Sequence, residues 1–114
     1  MLLRANRLRK KRDFEKVFKE GEGFQEKFLF LKLRENEKEE SRIGFVIPKK
    51  YFRKAVLRNK LKRRLREQVR KKLPQIKKGY DIVMVGREGL EKMDFWETDE
   101  MLEKLLFKAG VFTK

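Results

Sequence analysis

The chain has 114 residues, enough for one domain with a modest core and too few for two. Its 33 Lys and Arg against 18 Asp and Glu leave a formal charge of +15, which points to a polyanionic partner, nucleic acid before an acidic membrane or protein. With no Cys and no His, a disulfide framework, a thiolate zinc site and the commonest neutral-pH general base are excluded.

The N-terminal stretch MLLRANRLRKKRDF holds no apolar run of signal-peptide length, and no segment approaches a membrane span, so a cytoplasmic location is expected. Its cations, Arg4, Arg7, Arg9, Lys10, Lys11 and Arg12, read either as extra phosphate contacts or as a mobile arm. Residues 10–20 place Phe14, Val17 and Phe18 on one helical face, with Gly21 as C-cap. Residues 24–35, FQEKFLFLKLRE, read as one strand, with Leu29, Leu31 and Leu33 on one side and Phe28 and Phe30 on the other, followed by Lys32. After the polar turn NEKEES, RIGFVIP reads as its antiparallel partner, with Ile43, Phe45 and Ile47 sharing a face.

A helix is predicted from 55 to about 72, ending before Pro74. IVMV, residues 82–85, reads as a short buried strand, and a short helix is expected near 88–93. Met101, Leu102, Leu105 and Leu106 have helical spacing up to Gly110, in a helix started by Thr98 or Asp94, with Trp96 as its core anchor. The order α-β-β-α-β-α describes an α+β sandwich: a small mixed sheet with helices, one of which connects two of its strands.

The predicted helix beginning at 55 holds the densest signal. Leu57, Leu61, Leu65 and Val69 form its apolar stripe, and Asn59, Lys62, Arg63, Arg66 and Arg70 fall together on the adjoining face. Residues 49–72 carry thirteen basic residues and one acid. A solvated face normally mixes signs, as residues 35–40 and 97–104 do, because like charges one turn apart destabilise a helix. Guanidinium forks and ammonium charges on one face suit phosphates, and Asn59 adds a donor and an acceptor for a base edge or 2′-hydroxyl. Asp13, Asp81, Asp94 and Asp99 fall in separate elements without metal-ligand spacing, so neither catalytic nor metal-binding residues are expected. No helix-turn-helix surrounds residues 54–72, so DNA is not an expected partner.

Ala55, Val56, Arg58, Asn59, Lys62, Arg63, Arg64 and Arg66 spell A-V-x-R-N-x-x-K-R-R-x-R, which resembles the signature of the bacterial ribonuclease P protein subunit. NRLRKKRDFEKVFKEG, RIGFVIPKK and YDIVMVGR resemble that family's flanking elements, so the resemblance covers nearly the whole chain. It implies a single RNA-binding domain over residues 1–114, with the basic helix in a left-handed βαβ crossover. It also implies an accessory subunit of an endoribonuclease that matures tRNA 5′ ends, in which a large RNA subunit holds Mg²⁺ and hydrolyses the phosphodiester. The implied partners are that RNA and the 5′ leader of precursor tRNA. Carried over by position, Arg58, Asn59, Lys60, Lys62, Arg63 and Arg66 contact the RNA subunit, Lys60 standing where the family has an arginine. Phe14, Phe18, Leu31, Val46 and Lys49 line a leader cleft in which half-buried aromatic rings stack on unpaired bases, a contact worth about 1–3 kcal/mol per base. The competing reading is a general or ribosomal-type RNA-binding protein without a catalytic partner. A second side inference is thermophily, since Lys and Glu dominate, charged residues reach 45% and Cys is absent.

Overall fold

The computed structural model describes residues 4–113. Three helices, α1 (Lys11–Glu20), α2 (Ala55–Lys72) and α3 (Phe95–Lys108), accompany four strands, β1 (Glu22–Glu26), β2 (Leu29–Glu35), β3 (Arg42–Val46) and β4 (Tyr80–Gly86). The strands form one mixed sheet in the order β1-β2-β4-β3, giving the α+β class.

Two expectations about the sheet need correction. Residues 24–35 are not one strand: Glu26 pairs with Leu29, so Lys27 and Phe28 make a two-residue turn between β1 and β2. Lys27 takes φ 48° there. No Gly, Asn or Pro marks that turn, which is why alternation ran straight through it. Nor do the strands flanking NEKEES pair with each other. β4 lies between them, antiparallel to β2 and parallel to β3. A parallel neighbour requires a crossover, and α2 supplies it.

Strand register sorts the side chains into two layers. Leu29, Leu31, Ile43, Phe45, Ile47, Ile82 and Met84 enter the main core with Leu61, Leu65 and Val69 of α2 and Met101, Leu102, Leu105 and Leu106 of α3. On the opposite face α1 sits over a smaller cluster, in which Leu8, Val17 and Val83 are buried and Phe14, Val46 and Val85 partly so. β4 buries apolar side chains on both faces, Ile82 and Met84 on one and Val83 on the other, as befits a central strand. α3 starts at Asp94 with a reciprocal capping box: Glu97 N–H donates to Asp94 Oδ1 at 2.8 Å and Asp94 N–H to Glu97 Oε1 at 3.0 Å. Trp96 in its first turn is 76% exposed and packs edge-on against Phe95, so it is not the expected core anchor. The core-facing stripe of α3 runs instead through Thr98, Met101, Leu102, Leu105 and Leu106. Gly89 has φ 110°, and a Cβ there would lie 2.6 Å from the Phe28 ring, so glycine is required on both counts.

Candidate nucleic-acid interface

α2 begins without a side-chain cap on Lys54 and with no acid in its first turn. Arg58 ties the preceding loop to it, its Nη1 donating to Phe52 O at 2.9 Å and to Arg53 O at 2.8 Å. On the flank toward α3, Arg64 Nη2 donates to Met93 O at 3.2 Å, and buried Lys72 meets Asp99 at 2.5 Å. The one acid of α2, Glu67, is held down at about pKa 2, first by hydrogen bonds from Arg70, so it stays ionised. Asn59, Lys60 and Arg63 are exposed, while Lys62 and Arg66 are half-buried. Among the described residues none of these five shows an ion pair or side-chain hydrogen bond.

Lys62 and Arg66 form one wall of a groove of about 300 Å³. Its floor is the outer edge of β3, with Ile43, Gly44 and Phe45, and its far wall is Arg7, Leu8, Arg9 and Phe14. The far wall is held in place by backbone pairing, Leu8 N–H donating to Ile43 O at 3.0 Å. Phe14 fits there because residue 44 has no side chain: a Cβ on Gly44 would come within 2.4 Å of its ring. The cations of α2 and the aromatic of α1, far apart in sequence, thus face each other across one edge strand.

The remaining predicted cleft residues divide. Val46 belongs to the small cluster beside Phe14, and Lys49 is exposed in the turn after β3. Phe18 is 38% exposed one turn beyond Phe14. Leu31 is corrected: it is fully buried in the main core, on the face away from α1. Its neighbour Lys32 is cross-strand partner of Val83, so Lys32 lies on the α1 face, and its Nζ donates to Phe18 O at 2.6 Å. An error of one residue flips the face of a strand. Phe30 shares the α1 face opposite Val85, with the Arg87 guanidinium 5.6 Å from its ring centre. Arg7 and Arg9 extend the cationic lining of the groove, and nothing in the sequence told which edge they would reach. The side chain of Arg4 lies outside the described residues.

The ribonuclease P family model matches residues 2–110. The chain belongs to the ribonuclease P protein family. Its similarity to the ribonuclease P protein component of Thermotoga petrophila is 45% identity over 107 residues, 90% of this chain and 91% of that one. The RNase P protein from Thermotoga maritima has a matching fold, with TM-score 0.82 at 42% identity over 90% of this chain and 96% of the other. The Staphylococcus aureus RNase P protein gives 0.87 at 31% identity, covering 96% and 99%. As a protein component of ribonuclease P, this family member implies a complex with the ribonuclease P RNA.

Among the described residues no group of three or more His, Cys, Asp or Glu converges. Asp13 and Asp81, which the sequence placed apart, do meet, but around a cation: Arg42 Nε and Nη2 donate to Asp81 at 2.9 and 2.7 Å, and Nη1 reaches Asp13 at 3.4 Å. Asp81, and secondarily Asp13, raise the Arg42 pKa above its ordinary value. This is an ion-pair network rather than a metal site. Among the described residues no helix is long and apolar enough to cross a membrane.

Proposed function

We propose that the chain binds the catalytic RNA of ribonuclease P through the exposed face of α2 and guides the 5′ leader of precursor tRNA along the β3 groove. The phosphodiester hydrolysis, and the Mg²⁺ it uses, are assigned to the RNA subunit, and the protein works by positioning, in the cytoplasm. The observation that carries this reading is the groove itself, in which Lys62 and Arg66 face Phe14 across an apolar floor. Cations on one wall neutralise phosphates, and an aromatic on the other offers a face for an unpaired base. A single strand fits such a slot; a folded duplex is met by the convex row of Asn59, Lys60 and Arg63. Neutralising phosphates where the two RNAs meet lowers their mutual repulsion and fixes the scissile bond against the RNA active site.

The test is single-turnover cleavage of a precursor tRNA by a bacterial ribonuclease P RNA at low Mg²⁺, with this protein, without it, and with an Arg63→Ala/Arg66→Ala variant. The expected outcome is correct 5′ cleavage restored by the wild type and poorly by the variant. RNA binding with no gain in rate would leave a general RNA-binding protein as the better reading.

A further inference from the structure

Of the three α-helices α1 buries the fewest residues, Val17 being its one fully buried side chain. Its polar tether is therefore of interest. Asp13 lies in the first turn of α1, with its side chain 17% exposed, and faces the Arg42 guanidinium. That guanidinium cannot wander, because its other nitrogens fork onto Asp81, whose side chain is 2% exposed. Asp81 is itself held by Asn36, whose Nδ2 donates to Oδ1 at 2.9 Å. The next residue along α1 is Phe14, and two residues along β3 from Arg42, on the same face, is Gly44, against which Phe14 seats. One end of α1 is thus pinned to β3 at adjacent points, one ionic and one steric, beside the groove wall that Phe14 forms.

We propose that Arg42, acting through Asp13, is a positioning residue for the leader: it fixes the first turn of α1, and so the Phe14 ring, over β3. Arg42 touches no RNA in this scheme. This inference rests on the reading of the groove as a leader site. A half-buried charge pair is screened less than a surface one, so it resists the sideways slip that α1's few apolar contacts permit.

Asp13→Asn tests it, since the change keeps the shape and leaves the Arg42–Asp81 fork intact. Holoenzyme assembled with a bacterial ribonuclease P RNA is titrated with a precursor tRNA bearing a leader of several nucleotides and with the same tRNA lacking a leader. The expected result is about tenfold weaker binding of the leader-bearing substrate, the scale of losing one base–aromatic stack. Leaderless tRNA should bind unchanged, the thermal midpoint should hold within a few degrees, and Asp13→Glu should recover most of the loss. Equal effects on both substrates, or none on either, would overturn the positioning role. A wild-type holoenzyme that does not distinguish the two substrates would instead overturn the leader site itself.

Discussion

Phe14 and Gly44 show how one missing side chain can shape a groove. A methyl group on residue 44 would meet Phe14 Cζ at 2.4 Å and Leu8 Cβ at 3.2 Å, so the ring must move. Gly44→Ala is therefore expected to destabilise the fold by about 1–3 kcal/mol, the usual cost of overpacking, and to weaken leader binding in the same variant. Chemical denaturation and a leader-binding titration check the two effects. Trp96 makes the opposite case. A tryptophan with three quarters of its surface in solvent does not anchor a core, and Trp96→Ala is expected to change stability by no more than about 0.5 kcal/mol. A loss of several kcal/mol would mean that it packs as the sequence suggested.

Among the elements, α2 and α3 solve the problem of charge differently. α3 places an acid, Glu97, in its first turn and a lysine in its last, in line with the helix dipole, and closes its start with the Asp94 capping box. Asp94→Ala is expected to cost about 0.5–2 kcal/mol, measured as a drop in unfolding free energy without change in the denaturant slope. α2 has no cap and no first-turn acid, and its basic side chains lie one turn apart. What holds it is burial of Leu61, Leu65 and Val69, with Arg58, Arg64 and Lys72 engaged by carbonyls and a carboxylate on its flanks. Arg58, Arg64 and Lys72 are thus tied to the fold, while Asn59, Lys60, Lys62, Arg63 and Arg66 show no ion pair or side-chain hydrogen bond among the described residues and, under the proposed function, are the ones left to meet a polyanion. That is a division of labour along one helix, and it explains why so repulsive a sequence stays helical.

Across the whole molecule the charge is laid out by layer. The sheet presents apolar side chains to α2 and α3, and toward α1 it presents a mixed face in which Lys32, Arg34, Arg42 and Asp81 alternate with Phe30, Val83 and Val85. Cations of the N-terminal segment and of α2 converge on the edge of β3. Binding of single-stranded RNA there should fall steeply with salt, the slope reporting the number of neutralised phosphates. Lys62→Ala is expected to weaken binding nearly equally for all sequences and to reduce the magnitude of the log–log slope by about one. An unchanged slope would place Lys62 away from the phosphates.

The sequence by itself determined the three helices and most of the strands, the apolar stripe and charged face of α2, and the family, because these rest on periodicities of 2 and 3.6 and on a contiguous motif. It did not reveal the turn at Lys27, which lacks any turn residue, nor the insertion of β4 between β2 and β3, since pairing between distant strands leaves no local mark. The face of Leu31 against Lys32 hung on a single residue of register, and only packing of both layers decided it. The groove is likewise a tertiary object: Phe14, Gly44 and Arg66 become neighbours only because α2 crosses from the edge strand to the centre of the sheet while α1 lies on the other face. Local physics chose each residue's conformation, and burial of two apolar faces on one four-stranded sheet chose which residues meet.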